Sequence, residues 1–267
     1  MPRAAAVLAW MVTLAGARAA ELQPETIQAF DRYIREAEAR AGPRAQPGGQ
    51  FLWTAEDPRR LAQVLAGQVA IENLGGEGTI PVPQGLIHDW IGAVFIPGAT
   101  LPRTLALVQD FDHNRDHYRP EVMASRLIAH NGNDFKVYMR LMKKKVITAI
   151  LDTEYDVRYF PLDKSRCQSR AYSTSIREVE NAGKRDERVL PPGNDHGFLW
   201  RLDTYWRYQE RDGGVYVECE AISLTRAIPA GLAWLIEPII RSLPRESLEN
   251  TLRQTRLALL AGGAQSK

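Results

Sequence analysis

From Glu121 to Arg226 the chain alternates apolar and polar residues through six successive segments, and this period of two commits its larger part to β-structure. The segments span roughly residues 121–130, 134–142, 146–160, 168–180, 198–210 and 215–226. Asn131-Gly132 and Asp212-Gly213-Gly214 supply the turn chemistry between two of the pairs. Alternation also sets register, because a slip by one residue would turn every apolar side chain to the opposite face.

Two hairpins can be written out on that basis. Around Lys143-Lys144-Lys145 a three-residue loop sets Leu141 opposite Ile147, Met139 opposite Ala149 and Val137 opposite Leu151, with Lys136 opposite Asp152 on the other face. Around Arg211 to Gly214 the pairs are Tyr208 with Val217, Trp206 with Cys219, Thr204 with Ala221 and Leu202 with Ser223. This second face sets large residues against small ones, leaving room above the sheet that a helix, an aromatic side chain or a ligand must fill. Its reverse carries Arg207 opposite Glu218 and Tyr205 opposite Glu220, a pattern expected of a solvated surface.

Other elements flank the strands. Glu21 to Ala41 carries Leu22, Ile27, Phe30, Ile34 and Ala37 on one helical stripe, and Gly42-Pro43 ends it. A short helix is expected over Pro58 to Ala66, strands over Gln68 to Leu74 and Leu86 to Ile96, and a helix over Leu101 to Phe111 opened by Thr100. At the far end Leu232, Leu235, Ile236, Ile239, Ile240 and Leu243 follow helical spacing, prolonged by Leu248, Leu252 and Leu259. Pro238 and Pro244 are expected to kink or break this helix.

A strand, helices, a six-stranded antiparallel run and a long final helix together resemble the START-like, or SRPBCC, helix-grip superfamily, over about Leu86 to Leu260. The phrases YFPLDKSRCQSRAYSTSI, PPGNDHGFLWRLDTYWRY and GGVYVECEAISLTRAIP look like those of an exported bacterial group within it, a likeness that implies no particular activity. It implies an α+β fold in which a curved seven-stranded antiparallel sheet wraps the C-terminal helix, often around an apolar cavity. Residues 20–85 then form an N-terminal helical extension and linker, 86–260 the START-like domain and 261–267 a tail.

The strand parity and the amphipathic helix name the walls of such a cavity: Met139, Leu151, Tyr155, Trp200, Trp206 and Tyr208 from the sheet, Trp234 and Ile236 from the helix. The leading expectation is a binding protein for a hydrophobic or lipid-like molecule, with no cofactor, metal or catalytic residue assigned. A cavity enzyme of aromatase/cyclase or hydrolase type is the alternative, using Asp195, His196 and either Tyr155 or Arg126. A third reading is an interaction module with a filled core. Arg126 faces inward if the Asn131-Gly132 turn holds an even number of residues, outward if odd. His113 and His117 stand four apart among Asp110, Asp112 and Asp116, a spacing metal ligands use, but equally a polar helix end. No Gly-x-Ser-x-Gly elbow, phosphate loop or Cys-His signature is present.

The first residues address the chain outward. Arg3 precedes the apolar run Ala4 to Gly16, and Ala17-Arg18-Ala19 offers small residues where signal peptidase reads. The run is too short to span a bilayer, which takes about 20 residues. Removing residues 1–19 takes away Arg3 and Arg18, so Lys+Arg falls from 34 to 32 against 32 Asp+Glu. A formally neutral protein argues against nucleic acid as partner, and the expected setting is periplasmic or secreted. There Cys167 and Cys219 are either one disulfide or two buried thiols. Exported material should begin at Ala20 on N-terminal sequencing; a mature chain retaining Met1 would overturn the signal peptide.

Overall fold

The computed structural model describes residues 22–46, 48–76, 78–144, 148–191, 193–227 and 233–264, and of residues 233–241, 263 and 264 the backbone alone. The expected signal peptide therefore lies outside the described residues. Ten strands form one antiparallel sheet: β1 (Ala70–Asn73), β2 (Ile80–Val82), β3 (Gly85–Pro97), β4 (Val122–Asn131), β5 (Asp134–Lys144), β6 (Thr148–Pro161), β7 (Arg166–Glu180), β8 (Arg188–Val189), β9 (Arg201–Arg211) and β10 (Gly214–Arg226). Their order is β1-β3-β10-β9-β7-β6-β5-β4, with β2 on β3 and β8 on β7. Helices α3 (Leu101–Val108) and α4 (Asn114–His117) link β3 to β4, and α5 (Ala233–Ala264) follows β10. Seven long strands in this order, with the last helix packed on one face, make the helix-grip fold; the expected α+β class stands, enlarged by three short strands.

The last hairpin has the expected register, Tyr208↔Val217 through Leu202↔Ser223. The β5–β6 hairpin does not. Lys136 faces Asp156, while Arg140 faces Asp152 and Leu141 faces Leu151. The connection is residues 145–147, still three long but two positions further on. Alternation could not detect this, because a displacement by an even number keeps each side chain on its face. Arg140 grips Asp152 with Nε at 2.7 Å and Nη2 at 2.9 Å, and Tyr138 donates to the same carboxylate at 2.6 Å, favouring the observed pairing.

Arg126 corrects a second inference. The β4–β5 turn holds two residues, since Asn131 pairs with Asp134, yet Arg126 lies beside Tyr138, on the face away from the core. A bulge at Ile128, between Leu127 and Ala129, reverses the parity, and the Arg126 guanidinium sits 4.6 Å from the Tyr138 ring centre. Nor do Pro238 and Pro244 break α5, which runs as one helix through both.

The largest correction concerns the face carrying Arg207, Glu218, Tyr205 and Glu220, which is buried. The N-terminal residues cover it. Helix α1 (Pro24–Ala41) lays Phe30 and Ala37 against Ile87, Ile222 and Leu224. A 3-10 turn over Trp53–Glu56 and helix α2 (Pro58–Leu65), capped by Asp57 accepting from the Arg59 amide at 2.8 Å, add Phe51, Leu52, Trp53 and Val64 over Ile91, Ala93 and Tyr216. Wholly buried, the Glu218 carboxylate accepts from the Trp53 amide at 2.9 Å and from the Thr54 amide and hydroxyl at 2.8 Å each. Truncating it strands these donors and the neighbouring buried Arg207, a class of loss worth about 3–5 kcal/mol. Glu218→Ala should lose that much in urea unfolding; a change below about 0.5 kcal/mol, the scale of surface substitutions, would mean the bonds give no net stability.

Candidate functional site

The inner face of the sheet carries the even-numbered residues of β3 and β9 and the odd-numbered residues of β5 and β10, and α5 crosses it. Leu248 and Leu252 pack over Gly92, where an added Cβ would lie 2.8 Å from a Leu252 methyl. Glycine thus suits the close approach of the helix, and a larger residue would make the Leu252 side chain shift. Arg256 Nε donates to the Phe95 carbonyl at 3.2 Å, so the helix runs from the Trp90 end of β3 toward the Phe95 end. Further bonds hold it from Ser247 onward. Lys143 reaches Ser247 Oγ at 2.7 Å and also Glu121; Asn250 donates to Glu121 at 2.9 Å; the Tyr118 and Thr255 hydroxyls meet at 3.0 Å; Arg103 donates to the Leu259 carbonyl.

Burial changes along this face. Toward the Phe95 end Val94, Ile96, Tyr208, Val215, Val217 and Cys219 are sealed beneath Leu252 and Leu259. Toward the other end Trp90, Met139, Ala171, Leu202, Trp206 and Ala221 remain partly exposed although they adjoin the same core. The small residue Ala221 lies between Trp90 and Thr204 on its two neighbouring strands. Trp206 Nε1 donates to Thr204 Oγ1 at 3.1 Å, and its ring lies parallel to that of Tyr208, centres 6.1 Å apart. The result is an apolar floor, one part closed and one part incompletely buried.

Of the residues expected to line a cavity, Met139, Tyr155, Trp206 and Tyr208 lie on this face, and Leu151 joins it in a neighbouring cluster with Val122 and Leu141. Trp200 does not. It packs on the outer face with Phe30, Ile87, Tyr205 and Leu224, because β9 starts at Arg201 and strand parity does not extend to the bend before it. The side chains of Trp234 and Ile236 lie outside the described residues. Trp90 was missed, since β3 is apolar on both faces and its alternation carries no orientation. Pairing of Trp90 with Ala221 is the signal that would have found it.

Asp195 is held by its own loop and His196 by Glu178 of β7. Asp195 accepts from the Gly197 amide at 2.9 Å and the Trp200 indole at 3.3 Å. His196 Nδ1 stands 2.8 Å from Glu178, which also accepts from the His196 and Phe198 amides at 3.0 Å. In the His113 region Asp112 accepts from the Leu127 amide at 2.8 Å and Asp110 pairs with His113 at 2.8 Å. Among the described residues no group of three His, Cys, Asp or Glu is placed to hold a metal ion. Cys167 and Cys219 are free, buried thiols whose pKa values burial raises.

A second concentration of ionisable groups lies on the outer face beneath α1. Asp89, fully buried, accepts from the Tyr33 hydroxyl at 2.7 Å and faces Arg40 at 3.4 Å. Glu38 accepts from the Tyr172 hydroxyl at 2.5 Å and the Tyr205 hydroxyl at 3.1 Å. Asp203, held by the Ser173 amide at 3.3 Å, is raised to about 7 by burial. Glu220 is raised too, again by burial. The Asp89 and Glu38 contacts fasten α1 to β3, β7 and β9.

No protein-family model matches this sequence, and no curated protein does. Among solved structures the chain is similar to TTHA0849 from Thermus thermophilus, at 15% identity and a TM-score of 0.47 over 64% of this chain and 97% of that one. It is similar to the STAR-related lipid transfer protein from Xanthomonas axonopodis, at 16% identity and a TM-score of 0.40 over 66% and 99%. A third is the Zhui aromatase/cyclase from Streptomyces sp. R1128, at 9% identity and a TM-score of 0.45 over 65% and 93%. The fold itself rests on the strand order and helix placement given above.

The outer-face carboxylates have a measurable signature. Burial, reinforced by Glu220 and opposed by Tyr33 and Arg40, lifts Asp89 from 3.8 to about 7. An acid raised on folding binds its proton more tightly in the native state. Its stabilisation is complete below the unfolded value and is lost as pH rises to the folded one. The melting temperature of Asp89→Asn relative to wild type should therefore climb from about pH 4 to about pH 7 and then level. A difference that stays flat or falls over that range would mean that Asp89 is ionised throughout.

Proposed function

We propose that this chain is an exported binding protein for a hydrophobic or lipid-like small molecule, held between the inner face of the sheet and α5. One observation carries the reading: a continuous apolar floor that is sealed at one end and left partly open, around Trp90, Leu202, Trp206 and Ala221, at the other. Apolar surface left wet costs roughly 25 cal/mol per Å², and an apolar ligand on this floor would recover it. The rigid grip on α5 from Ser247 onward supports a preformed site, in which little ordering is needed on binding. Residues 1–19 would be removed on export, with the mature protein periplasmic or secreted. The expected enzyme alternative would need its acid–base pair elsewhere than Asp195 and His196, which are held by their own loop and by Glu178 of β7.

Two small residues on one strand separate a ligand floor from ordinary core. Cys219 is sealed, between Gly92 and Trp206 on the adjacent strands, whereas Ala221 borders the open part. Cys219→Phe should overpack the core and lose about 1–3 kcal/mol in denaturant melts. Ala221→Phe should lose less than about 1 kcal/mol yet abolish uptake of the neutral fluorophore N-phenylnaphthylamine. Equal destabilisation of the two, with no uptake by wild type, would mean a filled core and end the binding proposal.

A further inference from the structure

We infer that the ligand is a neutral, oxygen-bearing hydrophobe, such as a long-chain alcohol, ketone or ester, whose oxygen accepts a hydrogen bond from Tyr155. The inference rests on the cleft reading above and narrows its chemistry. Tyr155 stands mid-sheet on the inner face, between Val137 and Ser173 on the adjacent strands. It is 6% exposed, and its hydroxyl is buried with no partner in hydrogen-bonding geometry.

The hydroxyls beside it do not meet it in hydrogen-bonding geometry. Thr153, whose hydroxyl is close enough to draw the Tyr155 pKa down somewhat, gives its own proton to the Met139 carbonyl at 2.8 Å. Ser173 Oγ accepts from the Leu202 amide at 3.0 Å. A buried hydroxyl without a partner is costly to keep, and Met139, paired with Thr153, and Leu202, bonded to Ser173, belong to the partly exposed floor. Burial raises Tyr155 to about 12, so it is a neutral donor across the physiological range.

Charge selects against an acid. Lys143 is engaged by Glu121 and Ser247, and Arg103 and Arg256 by backbone carbonyls beside α5. Arg126 lies on the opposite face, and His88 is bonded to Thr225 at 3.0 Å. Glu178, on the inner face of β7 opposite Leu151, adds a negative group. Among the described residues a carboxylate on this floor would meet no uncommitted cation, and stripping a carboxylate of water without a counter-charge is prohibitive.

Displacement of N-phenylnaphthylamine from the mature protein by decanol, decane and decanoate tests this, with Tyr155→Phe as the variant. Decanol should bind wild type about 3- to 10-fold more tightly than the variant, the yield of one hydrogen bond. Decane should not distinguish the two proteins, and decanoate should bind weakest. Without ligand, Tyr155→Phe should melt no lower than wild type. Equal decanol affinities, a preference for decanoate, or a lower melting temperature of the variant would each overturn the inference while leaving the cleft intact. If neither the fluorophore nor any of the three binds wild type, the cleft reading falls and takes this inference with it.

Discussion

The Glu218 carboxylate is the contact on which the outer half of the molecule depends. It lies on β10, a strand paired along both edges and covered on both faces, where an ionisable group has no access to water. A carboxylate survives there only if donors replace its hydration. The donors come from a single turn, Trp53 and Thr54, more than 160 positions earlier in the chain. One bonding requirement thus joins residues that sequence separates widely. Once the turn is seated, Trp53 and Leu52 close over Ile91, and α1 brings Tyr33 and Arg40 to Asp89. The N-terminal segment is in this sense a second face of the sheet's core.

Much of this was legible in the residues, and the exceptions share a cause. Periodicity reports which face a side chain takes, and it placed the six long strands that follow α4 and the register of the β9–β10 hairpin. It carries no information about displacements by two, so the β5–β6 register had to be chosen by Arg140, Asp152 and Tyr138. It is also blind to an inserted residue, and the bulge at Ile128 reversed Arg126. Charged residues in alternation read as solvated, because the pattern cannot see a cover supplied from elsewhere in the chain. Glu218 and Glu220 were misread for that reason. Parity put the β9 aromatics Trp206 and Tyr208 on the inner face, where they lie, while Trp200 stands one residue outside the strand, where parity stops applying.

The two faces solve the problem of burial differently. Outside, buried carboxylates at Glu218 and Asp89 take specific partners from the N-terminal segment, which fixes its position on the sheet. Inside, contacts are apolar and non-directional, and selectivity falls to shape and to a few hydroxyls. Gly92 and Cys219 let α5 descend at the sealed end, where Leu252 fills the space. Ala221 and Thr204 continue the same low ground beyond it, alongside Trp206, which stands free of the helix's fixed turns.

The irregularities in β4 matter beyond the orientation of Arg126. This strand ends the sheet, and among the described residues its outer edge has no partner strand. Two departures from regular pairing, at Met123 and at Ile128, divide that edge into short stretches. An incoming chain seeking to extend the sheet would find amide and carbonyl groups out of step with its own repeat, so this border discourages strand-by-strand self-association. At the opposite border β1 and β2 occupy the free side of β3. Short strands thus border one margin of a long hydrophobic sheet and an irregular strand the other, and each is a poor template for a further strand.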